Sequence, residues 1–187
     1  MVNKRDTAHI TTQIDTRDAV VPSFKRWFKH FIYIPNASKY FTKSDYRQIT
    51  QAVQHAEDGH AGEIQVVVEG HIPCTLAYYT NTALRAQQLF AQLRVWDTEL
   101  NSGILLYLNL CECRVEIVFD RGIRQKTTPD IWTVICENIV QRMKNKHYTE
   151  AVTQGVAEIG QVLNEYYAQM HDHDQYGNEL SNRPIMI

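Results

Sequence analysis

A small mixed β-sheet sandwiched by helices is the fold the sequence predicts, on three observations. Three short runs are β-branched or nearly continuously apolar: Ile64-Gln65-Val66-Val67-Val68, Ile104 to Leu110, and Val115 to Phe119. Such runs, bounded by turn residues, read as strands. The segments around them repeat apolar residues at the helical spacing of three and four. The resulting order is α-α-β-α-β-β-α-α. A helix joins the first two strands, which should therefore be parallel with a right-handed crossover, and a tight turn makes the third antiparallel to the second.

The elements follow in order. Residues 1 to about 22 are polar and without clear period, and read as a loosely attached arm. Ser23 to Phe31 forms a short amphipathic helix, with Phe24, Trp27, Phe28 and Phe31 on one face and Lys25, Arg26, Lys29 and His30 around the other. Pro35 ends it. Thr42-Lys43-Ser44-Asp45 supplies caps for a helix running to about Asp58, with Ile49, Val53 and Ala56 as its apolar face. Gly59 and Gly62 close that helix before the first strand, and Pro73 marks the loop after the strand. A helix over Thr80 to Leu93 carries Leu84, Gln88 and Ala91 on one stripe and Leu89, Phe90 and Leu93 beside it.

The second strand is apolar at almost every position, which implies burial on both faces. Cys111-Glu112 makes the turn. The third strand alternates, Val115, Ile117 and Phe119 one way and Glu116 and Val118 the other. Thr128-Pro129-Asp130 opens a helix to about Lys144, with proline in its first turn. The last helix runs from Tyr148 to Ala168 on Val152, Val156, Ile159 and Val162, and the polar tail from His171 reads as frayed. The organisation is thus an arm over 1–41 that contains the aromatic-basic helix, a domain over 42–168, and a tail over 169–187.

Bulk properties exclude several classes. At 187 residues, 44% hydrophobic and 21% charged, the chain can bury a core and is not globally disordered. A net charge of −2 gives no electrostatic footprint for nucleic acid. No apolar run approaches the length of a membrane span, and no apolar stretch follows Met1-Val2-Asn3-Lys4-Arg5-Asp6 as a secretory signal would. The expected location is cytoplasmic, peripheral to the membrane if the aromatic helix engages one. Cys74, Cys111, Cys113 and Cys136 lack a disulfide-like pattern and read as reduced thiols.

The chemistry concentrates where two loops should meet. In a hairpin the start of one strand lies beside the end of the other. Asp97, Glu99 and Asn101, before the second strand, should therefore meet Asp120 and Arg121, after the third, with Asp130 in the loop beyond. Carboxylates with an amide suit a hard cation, calcium or magnesium alike. Such an ion can hold a phosphate and activate water. The same residues also admit plain ion pairing of Asp97 and Asp120 with Arg121 or Arg94, with Asp130 charging a helix N-terminus.

Other patterns are weaker. His71, Cys74, Cys111 and Cys113 should approach one another at the opposite end of the sheet, and imidazole with thiolate would select zinc, although the Cys-x-Cys gap is one residue short of the usual spacing. The aromatic-basic helix suits an interfacial membrane segment, a docking segment for another protein, or a cover for the domain's own core. His171-Asp172-His173-Asp174 can pick up metal. Ser102 precedes Gly103 without a nucleophile elbow, and neither a Walker loop nor a dinucleotide fingerprint is present.

From about Asp45 to Leu163 the chain resembles the TPM domain, a family named partly for a thylakoid lumen acid phosphatase. The features that carry the resemblance are Ala56-Glu57, then Gly62-Glu63-Ile64-Gln65-Val66, Ala86 to Leu93, and Asp97-Thr98-Glu99-Leu100-Asn101-Ser102-Gly103-Ile104-Leu105. They continue with Val115-Glu116-Ile117, Asp120-Arg121-Gly122-Ile123, Pro129-Asp130, and the helix containing Gly155-Val156 and Ile159. The resemblance is to the short soluble bacterial members. It implies a three-layer α/β/α sandwich of Rossmann-like appearance, divalent-metal binding and, in some members, phosphatase activity. Where many relatives carry Gly-x-Gly after the third strand, this chain carries Asp120-Arg121-Gly122. Three functions are expected. One is a cation-binding accessory or interaction module linked to maintenance of the cell envelope. Another is a metal-dependent acid phosphatase in which Asp97, Glu99 and Asp120 hold metal, Arg121 holds phosphate and Asp130 orients water. The third is a metal-independent scaffold that docks on a membrane or protein through Phe24, Trp27, Phe28 and Phe31.

Overall fold

A computed structural model describes residues 7–11, 21–33, 37–167 and 178–187. The elements are β1 (Thr7–Thr11), α1 (Phe24–Ile32), α2 (Lys43–Glu57), β2 (Glu63–Glu69), α3 (Cys74–Ala77), α4 (Thr82–Gln92), β3 (Gly103–Asn109), β4 (Arg114–Phe119), α5 (Arg121–Lys126), α6 (Pro129–Lys144), α7 (Tyr148–Tyr167) and β5 (Ile185–Met186), with a 3-10 turn over Ala37–Lys39. The five strands form one sheet in the order β1-β4-β3-β2-β5. β2 and β3 are parallel, with Ile64 opposite Ile104, and β3 and β4 are antiparallel, with Ile104 opposite Phe119. Both relations are those expected from the connections.

Helices cover both faces. On one side α2, α6 and α7 pack Ile49, Val53, Trp132, Ile139, Val156 and Ile159 against Ile64, Val66, Leu106, Ile117 and Phe119. On the other, Ala86, Leu89 and Phe90 of α4 pack against Val67, Leu105, Tyr107 and Val118. Burial of this apolar area is the main favourable term in folding. The Trp132 ring lies 5.0 Å from that of Phe119, and its Nε1 donates to Thr127 Oγ1 at 2.9 Å, so the indole is buried without losing its hydrogen bond. Thr42 and Asp45 form a reciprocal capping box on α2. Pro129 opens α6 and Thr128 precedes it.

Four expectations are corrected. Residues 7–11 of the supposed arm form an edge strand, Thr7 to Thr11 pairing parallel with Val115 to Phe119. An edge strand joins through its backbone, so its side chains need not follow any pattern. The supposed frayed tail is fixed over 178–187: β5 pairs with β2, Gly70 N–H donates to Ile187 O at 2.7 Å, and Gln65 Nε2 donates to Arg183 O at 3.3 Å. Residues 121–126, read as loop, form α5, which Asp120 caps. The buried stripe of α4 is Thr82, Arg85, Ala86, Leu89 and Phe90, not Leu84, Gln88 and Ala91. The polar members of that stripe serve a buried network that an apolar period cannot reveal.

Candidate functional site

The acidic edge is assembled by backbone constraints. Gly103 opens β3 with no room for a side chain, since a Cβ would lie 1.8 Å from Val95 O. Asn101 turns the loop into the strand at φ +52°, a conformation asparagine tolerates better than most residues. Thr98 Oγ1 accepts from Ser102 N–H, and Ser102 Oγ donates to Ala61 O at 2.6 Å. Asp120 N–H donates to Gly103 O at 3.0 Å, which closes the end of β4 on the start of β3.

Asp120 is 6% exposed. Its Oδ1 accepts from Arg121 N–H at 2.6 Å and caps α5, while its Oδ2 is buried with no partner. Arg121 Nε donates to Asn101 Oδ1 at 3.2 Å. Asp120, Arg121 and Asn101 thus come together as the hairpin required. Asp97 and Glu99 lie exposed in the preceding loop, and Glu99 N–H donates to Glu179 Oε1 at 3.0 Å. Asp130 is exposed in the first turn of α6. Among the described residues no three His, Cys, Asp or Glu side chains converge as a group able to hold a metal ion.

The opposite end of the sheet carries polar groups that sequence reasoning missed. Arg85 grips Glu69 through Nη2 at 2.7 Å and Nε at 3.0 Å, and Tyr107 donates to Glu69 Oε2 at 2.6 Å. Asn109 Nδ2 donates to Tyr107 Oη, and Thr82 Oγ1 donates to Glu116 Oε1. Burial pushes the Glu116 carboxyl up to about 7, opposed by the Thr82 hydrogen bond and the Arg114 charge. The one available signal was the register, which sets Glu69 beside Asn109 and Tyr107 beside Glu116. Cys111 N–H donates to Gly70 O at 2.9 Å at this end, but among the described residues His71, Cys74, Cys111 and Cys113 do not form a group able to hold a metal ion. None of the four cysteines is in a disulfide, and Cys111 Sγ faces Lys29 O at 3.8 Å. Burial pushes the Cys111 thiol up to about 11, with Lys29 opposing the shift.

Above this end lies α1, docked with its polar side inward. Arg26 donates to Ala77 O, Tyr78 O and Val21 O at 2.8, 2.9 and 3.2 Å. His30 is fully buried: Nδ1 accepts from Ile72 N–H at 3.1 Å, which leaves the ring proton on Nε2, 3.2 Å from Glu112 Oε1. Lys29 Nζ reaches Glu112 Oε2 at 3.0 Å. Burial raises the Glu112 carboxyl, but His30 and Lys29 outweigh it and hold the group down at about 2. The aromatic side faces out, Phe24 being 66%, Phe31 59%, Ile32 56% and Phe28 49% exposed. The Phe24 and Trp27 rings stack at 5.1 Å, and those of Trp27 and Phe31 at 5.2 Å. Phe24, Phe28 and Phe31 therefore do not cover the domain's core.

The model of the TPM domain matches residues 35–162, well over half of the chain. The chain belongs to the TPM domain family. Among solved structures, this TPM protein is similar to the BA42 protein from the psychrophilic bacteria Bizionia argentinensis, with a TM-score of 0.69 and 24% identity over 79% of this chain and 96% of that one. It is also similar to the N-terminal domain of the cg2496 protein from Corynebacterium glutamicum, with a TM-score of 0.52 and 12% identity over 67% and 76% of the two chains. At these identities the likeness is one of fold. No curated protein matches the sequence. Among the described residues of the TPM protein, no helix is long and apolar enough to cross a membrane. β1, α1 and β5 all lie outside the matched residues. His171, Asp172, His173 and Asp174 lie outside the described residues.

Proposed function

We propose that this TPM protein is an accessory interaction module that docks on a membrane or protein surface through the outward face of α1. One observation carries the reading: the helix spends its polar residues, Arg26 and His30, on the domain and leaves Phe24, Phe28, Phe31 and Ile32 exposed. A helix kept only for its own fold does the reverse. Exposed contiguous aromatics of this kind mark interaction surfaces. Fractionation of the producing cells tests it. The wild-type chain should run in a particulate or high-mass fraction, and Trp27→Ala/Phe28→Ala should release it as a free 21.7 kDa species with an unchanged melting temperature. An unchanged distribution refutes the docking role.

A second reading, a divalent-cation site at the acidic edge, is favoured by Asp120 Oδ2, a buried acceptor without a partner, next in the chain to the Arg121 that reaches Asn101. An unpartnered buried carboxylate oxygen is costly, and a hard cation would satisfy it. Asp97, exposed in the loop before Asn101, is near enough in the chain to serve as a further oxygen ligand. Calcium or magnesium at ten times Kd should raise the melting temperature by about 3–6 °C. Asp120→Asn retains a capping side chain and should abolish the rise. A melt indifferent to both ions removes this site, and with it the metal-dependent phosphomonoesterase.

A further inference from the structure

We propose that a cleft on the flank of α1 binds the phosphate of an anionic lipid headgroup, so that α1 lies in the membrane interface with its aromatic face toward the acyl chains. This rests on the reading of α1 as a docking face and names what it docks on.

The cleft, about 490 Å³, is lined by Lys25, Arg26 and Lys29 from α1, Asn81 and Thr82 at the start of α4, Glu112 from the β3–β4 turn and Arg114 at the start of β4. Four cationic side chains therefore face one carboxylate, in a chain whose net charge is −2. That carboxylate is already neutralised by Lys29 Nζ at 3.0 Å, with His30 Nε2 at 3.2 Å from its other oxygen. No second carboxylate lines the cleft, and Arg114 acts also on the buried Glu116 that Thr82 hydrogen-bonds, which leaves Lys25 and Arg26 as the charges without a carboxylate of their own.

Its place in the fold adds to this. β2 and β3 run parallel and end at Glu69 and Asn109, and the chain returns from β2 through α3 into α4. In open α/β sheets, ligands bind outside the carboxyl ends of the strands. The positive end of the 11-residue α4, capped by Asn81 Oδ1 on Leu84 N–H at 2.8 Å, opens there. The cleft thus has a helix dipole, an excess of cations over carboxylates and the position at which this architecture receives anions.

The geometry of α1 selects a lipid over a free anion. At 100° per residue, Arg26 and His30 point to the body and Phe24, Phe28 and Phe31 point away. Lys25 and Lys29 fall on the flank between. A helix lying in a bilayer interface needs this order: aromatics below, ammonium groups beside them at headgroup height. Leu76 and Tyr79, on and just after the short helix against which α1 packs, are exposed as well.

Vesicle flotation of the full chain tests the proposal, with phosphatidylcholine vesicles compared with vesicles that also contain phosphatidylglycerol. Binding should depend on phosphatidylglycerol and weaken with sodium chloride. Lys25→Gln and Arg114→Gln should each cost roughly fivefold in affinity, while Phe24→Ala/Phe28→Ala should abolish binding to the phosphatidylglycerol vesicles. Lys25 and the two phenylalanines are exposed, so a far-ultraviolet spectrum and melt matching wild type are expected. Equal binding to both vesicles, unaffected by Lys25→Gln, overturns the phosphate cleft and leaves docking through α1 intact. No vesicle binding, with an α1-dependent particulate fraction in cells, overturns the lipid and favours a protein partner. Inorganic phosphate shifting the Asn81 and Thr82 amide resonances without vesicle binding makes the cleft a soluble-anion site and overturns the lipid as well. A dimer in solution that masks the aromatic face overturns the membrane role outright.

Discussion

Gly103 does most to fix the acidic edge. It admits no Cβ because Val95 O stands where one would be, and rigid backbone cannot yield as a side-chain end can. Gly103→Ala should therefore cost about 3 kcal/mol or more, read from urea midpoints, well above an ordinary surface change. The damage should reach Asn101 and Asp120, whose loops are tied together by Asp120 N–H on Gly103 O. The place of Asp120 beside the start of β3 was legible because the hairpin register could be inferred from two strands and a turn. Its capping of α5 was not, because Arg121 to Lys126 has a single buried apolar residue, Ile123, and so no period. His30 was illegible for the opposite reason: it stands among lysines and an arginine in the sequence, and only the docked helix separates the inward cations from the outward ones.

Between elements, the carboxylates at the two ends of the sheet respond oppositely to pH. Glu57 ends α2, accepts from Ile64 N–H at 2.7 Å at the start of β2, and accepts from Asn182 Nδ2 at 2.9 Å in the C-terminal segment. Burial pushes it from 4.5 up to about 8, the Ile64 hydrogen bond opposing and Glu63 adding to the shift. The folded chain thus keeps this proton over a range in which the unfolded chain has lost it, and stability falls as pH rises from about 4.5 to 8. Glu57→Gln should remove that slope, its advantage over wild type growing by roughly 1–3 kcal/mol between pH 6 and pH 9 in urea titrations. Glu112, held at about 2, acts the other way: its contribution is full above about 4.5 and is lost as pH falls toward 2. The segment that Glu57 holds was unreadable in the sequence, since its strand is Ile185–Met186 alone and its other ties run through main-chain groups such as Arg183 O and Ile187 O and through carboxylates such as Glu57, Glu63 and Glu179. Long periodic helices such as α6 and α7 were legible nearly to the residue, because tertiary packing and local pattern agree there.

For the whole molecule, the sheet separates two regions of different character. The acidic edge and the family core belong together, with Asn101, Asp120 and Arg121 inside residues 35–162. The basic cleft at the other end needs α1, which precedes that range. A sequence reading could find the first from order and spacing, because every part of it lies beside a strand end. The second required the fold, since Lys25, Thr82 and Arg114 share no local pattern.

The outermost strands, β1 and β5, come from segments on either side of the family core and pair with β4 and β2 in parallel. A proteolytic nick that frees either one bares the flank of a buried strand, and unpaired backbone on such a strand recruits another chain. The vacancy has the shape of the piece that left, so a neighbour's residues 7–11 or 185–187 would fit it best. Proteolysis or long storage should then yield strand-exchanged dimers and chains of them before it yields amorphous aggregate.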